Sequence, residues 1–135
     1  MMSESLSMLR PVLFIALGAA LGAIARWQLS ERLNATLSLF PLGTLTANLV
    51  GAYLIGAALA FFALNNDIPA EWRLLVVSGF CGGLTTFSTF SAEVVQFLQK
   101  GQFKEAVLTI ALHLFGSLFL TFLGMASVFL WRSKA

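Results

Sequence analysis

Polar side chains recur at a fixed interval in an otherwise apolar stretch near the C-terminus. The interval is four residues each time, and the members are Thr109, His113, Ser117 and Thr121. On a helix this spacing places them in one slowly winding stripe. A hydroxyl in such a stripe can donate to a bound ligand, or it can bond the carbonyl four residues before it. The pattern therefore predicts either a polar track or self-satisfied side chains, and the residue types alone leave both interpretations open.

A second polar cluster, Gly79–Ser91, combines two adjacent glycines with five hydroxyl side chains. Each glycine costs a helix about 1 kcal/mol relative to alanine, so Gly82 and Gly83 predict a break near the middle of a helix. Freed backbone carbonyls are tolerated inside a membrane only where protein or water covers them, and they readily bind cations. Two such breaks brought together in a dimer would offer enough oxygen atoms for one ion of the size of Na⁺.

Asn48 and a pair of phenylalanines are further candidates. An asparagine near the start of a span can bridge helices or can present its N–H groups to an ion, and both uses stay open. Phe87 and Phe90 are three residues apart and hence share a helix face. Because the edge of an aromatic ring is electropositive, this pair could line a path for a small anion without holding it tightly.

The apolar composition indicates that membrane-spanning helices position these groups. Of the 135 residues, 59% are hydrophobic and only 10% are charged, whereas about a quarter of a soluble domain is charged. A spanning helix needs about 20 apolar residues, and the pattern predicts four of them, at about 9–31, 44–64, 72–98 and 106–132. We interpret the first as a helix rather than as a cleaved signal peptide. The chain, 1–135, is then a single all-α transmembrane domain.

The positive charges are balanced across the predicted membrane. Four spans place both termini on one side, and each side then carries four Lys or Arg residues. On one side these are Arg10, Arg73, Arg132 and Lys134, and on the other Arg26, Arg32, Lys100 and Lys104. The positive-inside rule therefore favours neither orientation. This indicates insertion both ways and an antiparallel homodimer, although a single orientation set by a few charges stays open. No basic cluster suggests a nucleic acid partner.

Three segments carry a resemblance to a known family. They are Gly18–Trp27, Gly43–Gly51 and Gly79–Ser91, above all the string GGLTTFSTF within the third. On these segments the chain resembles the CrcB/Fluc family of bacterial fluoride ion channels, along nearly its whole length. The resemblance implies a multi-pass protein of the bacterial inner membrane that passively exports cytoplasmic fluoride and so protects against fluoride toxicity. It also implies an antiparallel, dual-topology homodimer with two pores.

The same resemblance implies roles for the candidate residues. The residues that would line the fluoride pore are Asn48, Phe87, Ser88, Thr89, Phe90, His113, Ser117 and Thr121. Arg26 would lie at a wide vestibule, and Glu93 near one end of the pore. A structural sodium ion at the dimer centre would be bound by the backbone carbonyls of Gly82 and Thr85 from both subunits.

Other classes of protein fit the sequence less well. A small dual-topology multidrug transporter that exchanges protons needs a carboxylate within its first span, and residues 11–25 contain none. A non-transporting assembly subunit would leave the polar stripe and the glycine pair unexplained. An enzyme is not expected, because no serine has the surroundings of a nucleophile elbow and no carboxylate is spaced to orient His113.

Overall fold

The computed structural model describes residues 2–34 and 40–134, with side chains from residue 9 onward. The described residues form helices joined by short turns. These helices are α1 (Met2–Asn34), α2 (Leu42–Leu64), α3 (Ala70–Arg73), a π-helix (Leu74–Cys81), α4 (Gly82–Leu84), α5 (Phe87–Gln99) and α6 (Phe103–Arg132). Residues 35–39, which fall between the first two predicted spans, lie outside the described residues.

Four stretches of helix are long and apolar enough to cross a membrane. Their bounds are Leu9–Asn34, Leu42–Leu64, Ala70–Gln99 and Phe103–Arg132. The prediction of an all-α protein with four transmembrane helices is thus confirmed. The observed ends differ from the predicted ones by a few residues at most. This is expected, because helical hydrogen bonding continues past the apolar residues into the polar ones that flank them.

The third span is interrupted near its middle, as predicted, but the interruption follows the glycine pair. Gly82 and Gly83 remain helical in α4, whereas Thr85 (φ −85°, ψ 156°) and Thr86 (φ −150°, ψ 116°) are extended. The helix restarts at Phe87, where the Thr86 hydroxyl accepts a hydrogen bond from the Thr89 N–H at 3.2 Å. Threonine is a favoured residue at such a helix start because its oxygen satisfies a free N–H group.

Glycines on both helices let the third span approach α1 closely. A Cβ added at Gly83 would collide with the carbonyl oxygen of Ala19, and one at Gly22 would collide with that of Phe80. Helix association in lipid depends on such close contact between small residues. The same holds for α2 and α6, where a Cβ at Gly56 would meet the Thr121 backbone. The fold therefore consists of two close helix pairs, with α2 also packing against α1.

Candidate anion pathway

A cleft of about 560 Å³ lies between α2, the break in the third span and α6. Most of its wall is apolar, with side chains such as Ile55 and Leu114. Six of the eight residues predicted to line the pore lie along it: Asn48, Phe87, Phe90, His113, Ser117 and Thr121. Three separate parts of the chain thus bring a few polar groups together on an apolar surface, which is the usual form of a ligand site.

The polar stripe of α6 divides into two kinds of residue. Thr109 is fully buried, and its hydroxyl donates to the Glu105 carbonyl at 2.7 Å, so this residue is self-satisfied. Ser117 and Thr121 line the cleft, and their hydroxyls make no hydrogen bond within residues 2–34 and 40–134. The self-satisfied interpretation therefore holds for Thr109, whereas a polar track through Ser117 and Thr121 stays a prediction. Only the two C-terminal hydroxyls are left available to a ligand.

The Asn48 amide joins α2 to the break in the third span. Its Oδ1 accepts from the Thr86 N–H at 2.7 Å, and its Nδ2 donates to the Thr86 carbonyl at 3.0 Å. The same Nδ2 lies 3.0 Å from Nδ1 of His113. These contacts occupy both N–H groups of the amide, so the structure shows the bridging use. Donation from Asn48 to an anion stays a prediction, and it would require one of these bonds to open.

His113 and the two phenylalanines form a continuous group of rings along the cleft. The ring of Phe90 stacks on His113 with centroids 4.5 Å apart and 28° between the planes. Phe87 meets Phe90 edge-on at 5.5 Å and is itself 78% exposed. His113 is only 6% exposed, and its Nε2 is buried with no hydrogen-bond partner among the described residues. Phe90 thus lies inside the cleft, and Phe87 lies at its open side.

Ser88 and Thr89 lie at the N-terminus of α5 and do not line the cleft. Their hydroxyls instead approach that of Thr86, at 3.2 Å and 3.0 Å respectively. Both side chains are exposed in the single chain, so a second subunit could contact them. Their role in a pore formed with that subunit stays a prediction. Thr86 is the residue that sequence reasoning missed, since its backbone and hydroxyl organise this whole region. Its position immediately before Phe87, which begins the helical spacing of Phe87, Phe90 and Val94, is a helix-start signal that could have identified it.

Arg26 and Glu93 both bond to the protein away from the cleft. The Arg26 Nε donates to the Gly83 carbonyl at 3.0 Å and so links α1 to α4. Glu93 accepts a hydrogen bond from the hydroxyl of the buried Thr44 through Oε1. Its Oε2 is buried without a partner in the part of the chain that the structure describes. The vestibule role of Arg26 and the pore-end role of Glu93 stay predictions.

The carbonyl of Gly82 loses its helical partner at the break. In a continuous helix it would accept from the N–H of Thr86, but that N–H donates to Asn48. Gly82 is exposed, and a Cβ there would meet only the Val77 carbonyl oxygen, 3.9 Å away. The predicted sodium ligand Gly82 therefore lies on open surface, and the second predicted ligand, Thr85, three residues further along the chain, has an extended backbone.

Four membrane-spanning helices, with a largely apolar cleft that gathers a few polar groups, define a small multi-pass membrane protein of the channel type. The sequence model of the family described as CrcB-like protein, Camphor Resistance (CrcB), matches residues 13–125. The chain belongs to this family. Its family membership and its four spans make it a multi-pass protein of the inner membrane. Its relatives are ion channels and not enzymes.

Similar proteins from several bacteria are described as fluoride-specific ion channels. A fluoride-specific ion channel FluC of Pseudomonas aeruginosa (strain UCBPP-PA14) is 60% identical over 121 residues, which are 90% of this chain and 95% of that protein. The FluC protein of Tolumonas auensis is 56% identical, again over 90% of this chain and 95% of the relative. That of Nitrosomonas europaea is 51% identical over 127 residues, or 94% of this chain and 100% of the relative.

Proposed function

We propose that this chain forms a fluoride-selective channel that lets cytoplasmic fluoride leave the cell passively and so protects against fluoride toxicity. The observation that carries the proposal is the cleft, which is lined both by the hydroxyls of Ser117 and Thr121, without partners among the described residues, and by the Phe87–Phe90 ring pair. It is supported by high identity to relatives named fluoride-specific ion channels. A channel of this kind needs no energy source beyond the membrane potential, which is worth about 2.3 kcal/mol per charge per 100 mV.

The chemistry of the cleft suits a small anion that must also be released. Fluoride is strongly hydrated, so a selective path must replace water with short hydrogen-bond donors. Conduction also requires that binding be weak enough for the ion to leave. Among the described residues, neither a Lys nor an Arg side chain lines the cleft, so none of them places a fixed positive charge that would hold the anion or attract chloride. No carboxylate from the part of the chain that the structure describes lines it either, which disfavours the proton-coupled multidrug transporter.

Ion release from liposomes tests the function directly. Purified protein is reconstituted into liposomes loaded with equal fluoride and chloride, and external electrodes follow both ions after a potassium ionophore sets the potential. We expect rapid fluoride release with negligible chloride release, because the cleft offers donors without a cation. Protein-free liposomes are the control for leakage of hydrogen fluoride. Release of neither ion from folded, dimeric protein would exclude the channel function.

The same proposal includes an antiparallel, dual-topology homodimer with two pores, embedded in lipid. Two features support it: the equal numbers of Lys and Arg on the two sides, and a cleft that one chain leaves open toward Phe87. A Ser133→Cys variant tests the orientation, since the native Cys81 is buried. We expect an impermeant maleimide to modify about half of the protein from outside sealed vesicles, and a permeant one to modify all. Modification of all or none from outside would contradict dual topology.

A structural sodium ion at the dimer centre is the remaining part of the proposal. The freed Gly82 carbonyl and the carbonyl of Thr85 at the break suit it, because unwound backbone carbonyls are typical ligands of Na⁺ in membrane proteins. When bound, the ion would supply positive charge that holds the two breaks together. A ligand that binds only the native state raises its stability, so replacing sodium with N-methylglucamine should lower the melting temperature of the dimer. An unchanged melting temperature across a sodium titration would argue against the site.

A further inference from the structure

The orientation of the Asn48 amide is determined by its two bonds to Thr86. A backbone N–H can only donate and a carbonyl can only accept, so Oδ1 must face the Thr86 N–H and Nδ2 must face the Thr86 carbonyl. The observed distances of 2.7 Å and 3.0 Å agree with this assignment. Rotating the amide by 180° would place Nδ2 against the Thr86 N–H, donor against donor, and Oδ1 against the Thr86 carbonyl, acceptor against acceptor. Nδ2 is therefore the atom that faces His113.

This orientation in turn determines the protonation of the imidazole. Nδ2 can act only as a hydrogen-bond donor, and it lies 3.0 Å from Nδ1 of His113. Nδ1 must therefore be the unprotonated, accepting nitrogen. A neutral imidazole carries one proton, so that proton is on Nε2. The stacking of the ring on Phe90, at 4.5 Å, keeps its plane in place.

The resulting Nε2–H has no acceptor within residues 2–34 and 40–134. Its nitrogen is buried while the His113 ring lines the cleft one helical turn before Ser117. A buried donor without a partner is unfavourable, so an acceptor that reaches it would be favoured. A neutral N–H can hydrogen-bond an anion without adding the positive charge that would slow its release.

We propose that Asn48 is a positioning residue that holds His113 as the Nε2–H tautomer, and that this N–H is a hydrogen-bond donor of the anion pathway. This inference rests on the proposed channel function and assigns the donor role to a different atom from the Asn48 amide. The Asn48 amide thus contributes to the anion pathway by orienting the imidazole. The Nε2–H and the hydroxyls of Ser117 and Thr121 are then successive donors along the pathway.

Nitrogen NMR tests the tautomer without any measurement of transport. His113 is the only histidine in the chain, so protein labelled with nitrogen-15 histidine gives one pair of ring signals. In reconstituted protein at alkaline pH, we expect Nε2 to carry the proton and Nδ1 to be unprotonated. Adding fluoride should shift the Nε2 and Nε2–H signals, whereas adding chloride should leave them in place. A proton on Nδ1 would overturn the positioning role, and an Nε2–H indifferent to fluoride would overturn the donor role.

Two substitutions of His113 separate the ring nitrogens in flux measurements. The amide of glutamine reaches about as far as Nε2, and that of asparagine about as far as Nδ1. We expect His113→Gln to retain about tenfold more fluoride flux than His113→Asn, the effect of one hydrogen bond to a charged ligand. Equal flux in the two folded variants, or more in His113→Asn, would overturn the donor role. Failure of the wild-type protein to pass fluoride would instead refute the channel function, while the tautomer result would stand.

Discussion

Asn48→Asp is expected to lower fluoride flux about a hundredfold and to destabilise the break in the third span. Aspartate offers only acceptors, so one oxygen would face the Thr86 carbonyl and His113 Nδ1, where the amide now donates to both. Each buried group left without a partner costs about 1–3 kcal/mol, and about 1.4 kcal/mol corresponds to a factor of ten. A negative charge beside the pathway would also repel the anion.

The measurement is fluoride release from liposomes at matched protein density, together with thermal unfolding of the purified dimer. Asn65→Asp is the matched control, because it makes the same chemical change at the end of the same helix. There, among the described residues, the amide bonds only the carbonyl of Phe61, at 2.7 Å, on an exposed surface. We expect this control to conduct normally. Flux like that of the wild type in Asn48→Asp would argue against both the bridge and any donor role of the amide.

Phe90→Ile is expected to reduce fluoride flux about tenfold, and Phe87→Ile to reduce it less, with the dimer still formed in both. Isoleucine keeps the apolar volume but removes the electropositive ring edge, and an aromatic contact is worth about 0.5–1.5 kcal/mol. Phe90 should matter more because it also stacks on His113, whereas Phe87 touches Phe90 alone among the described rings.

Size-exclusion chromatography of each variant checks the assembly, and parallel fluoride and chloride electrodes check selectivity. Phe129→Ile is the control, since Phe129 is exposed near the end of α6 and does not line the cleft. We expect chloride release to stay negligible in all three variants. Unchanged fluoride flux in both Phe87→Ile and Phe90→Ile would remove the ring pair from the mechanism.

Local properties of the sequence were sufficient to predict the elements. Apolar runs bounded by charges indicated four spans, and these spans are present. The glycine pair indicated a break in the third, yet the extended residues are Thr85 and Thr86. The displacement arises because Gly83 is needed where α1 approaches the backbone, while Asn48 draws the N–H of Thr86 out of the helix.

Which polar groups are free could be decided only by their neighbours in three dimensions. Thr109 and Ser117 belong to the same stripe, but one hydroxyl bonds its own helix and the other faces the cleft. A spacing of four residues cannot distinguish them, because it describes one helix and not what packs against it.

The sequence by itself determined that this protein spans the membrane four times, that its third span is interrupted, and that its positive charges favour neither orientation. These features follow from hydrophobicity, glycine content and charge, which are summed along the chain. Only the tertiary structure decided that Asn48 bonds Thr86 and His113, and that the imidazole retains a buried nitrogen with no partner among the described residues. These hydrogen bonds join residues that are separated by 38 and by 65 positions in the sequence. They depend on how the helices pack, which no local pattern specifies.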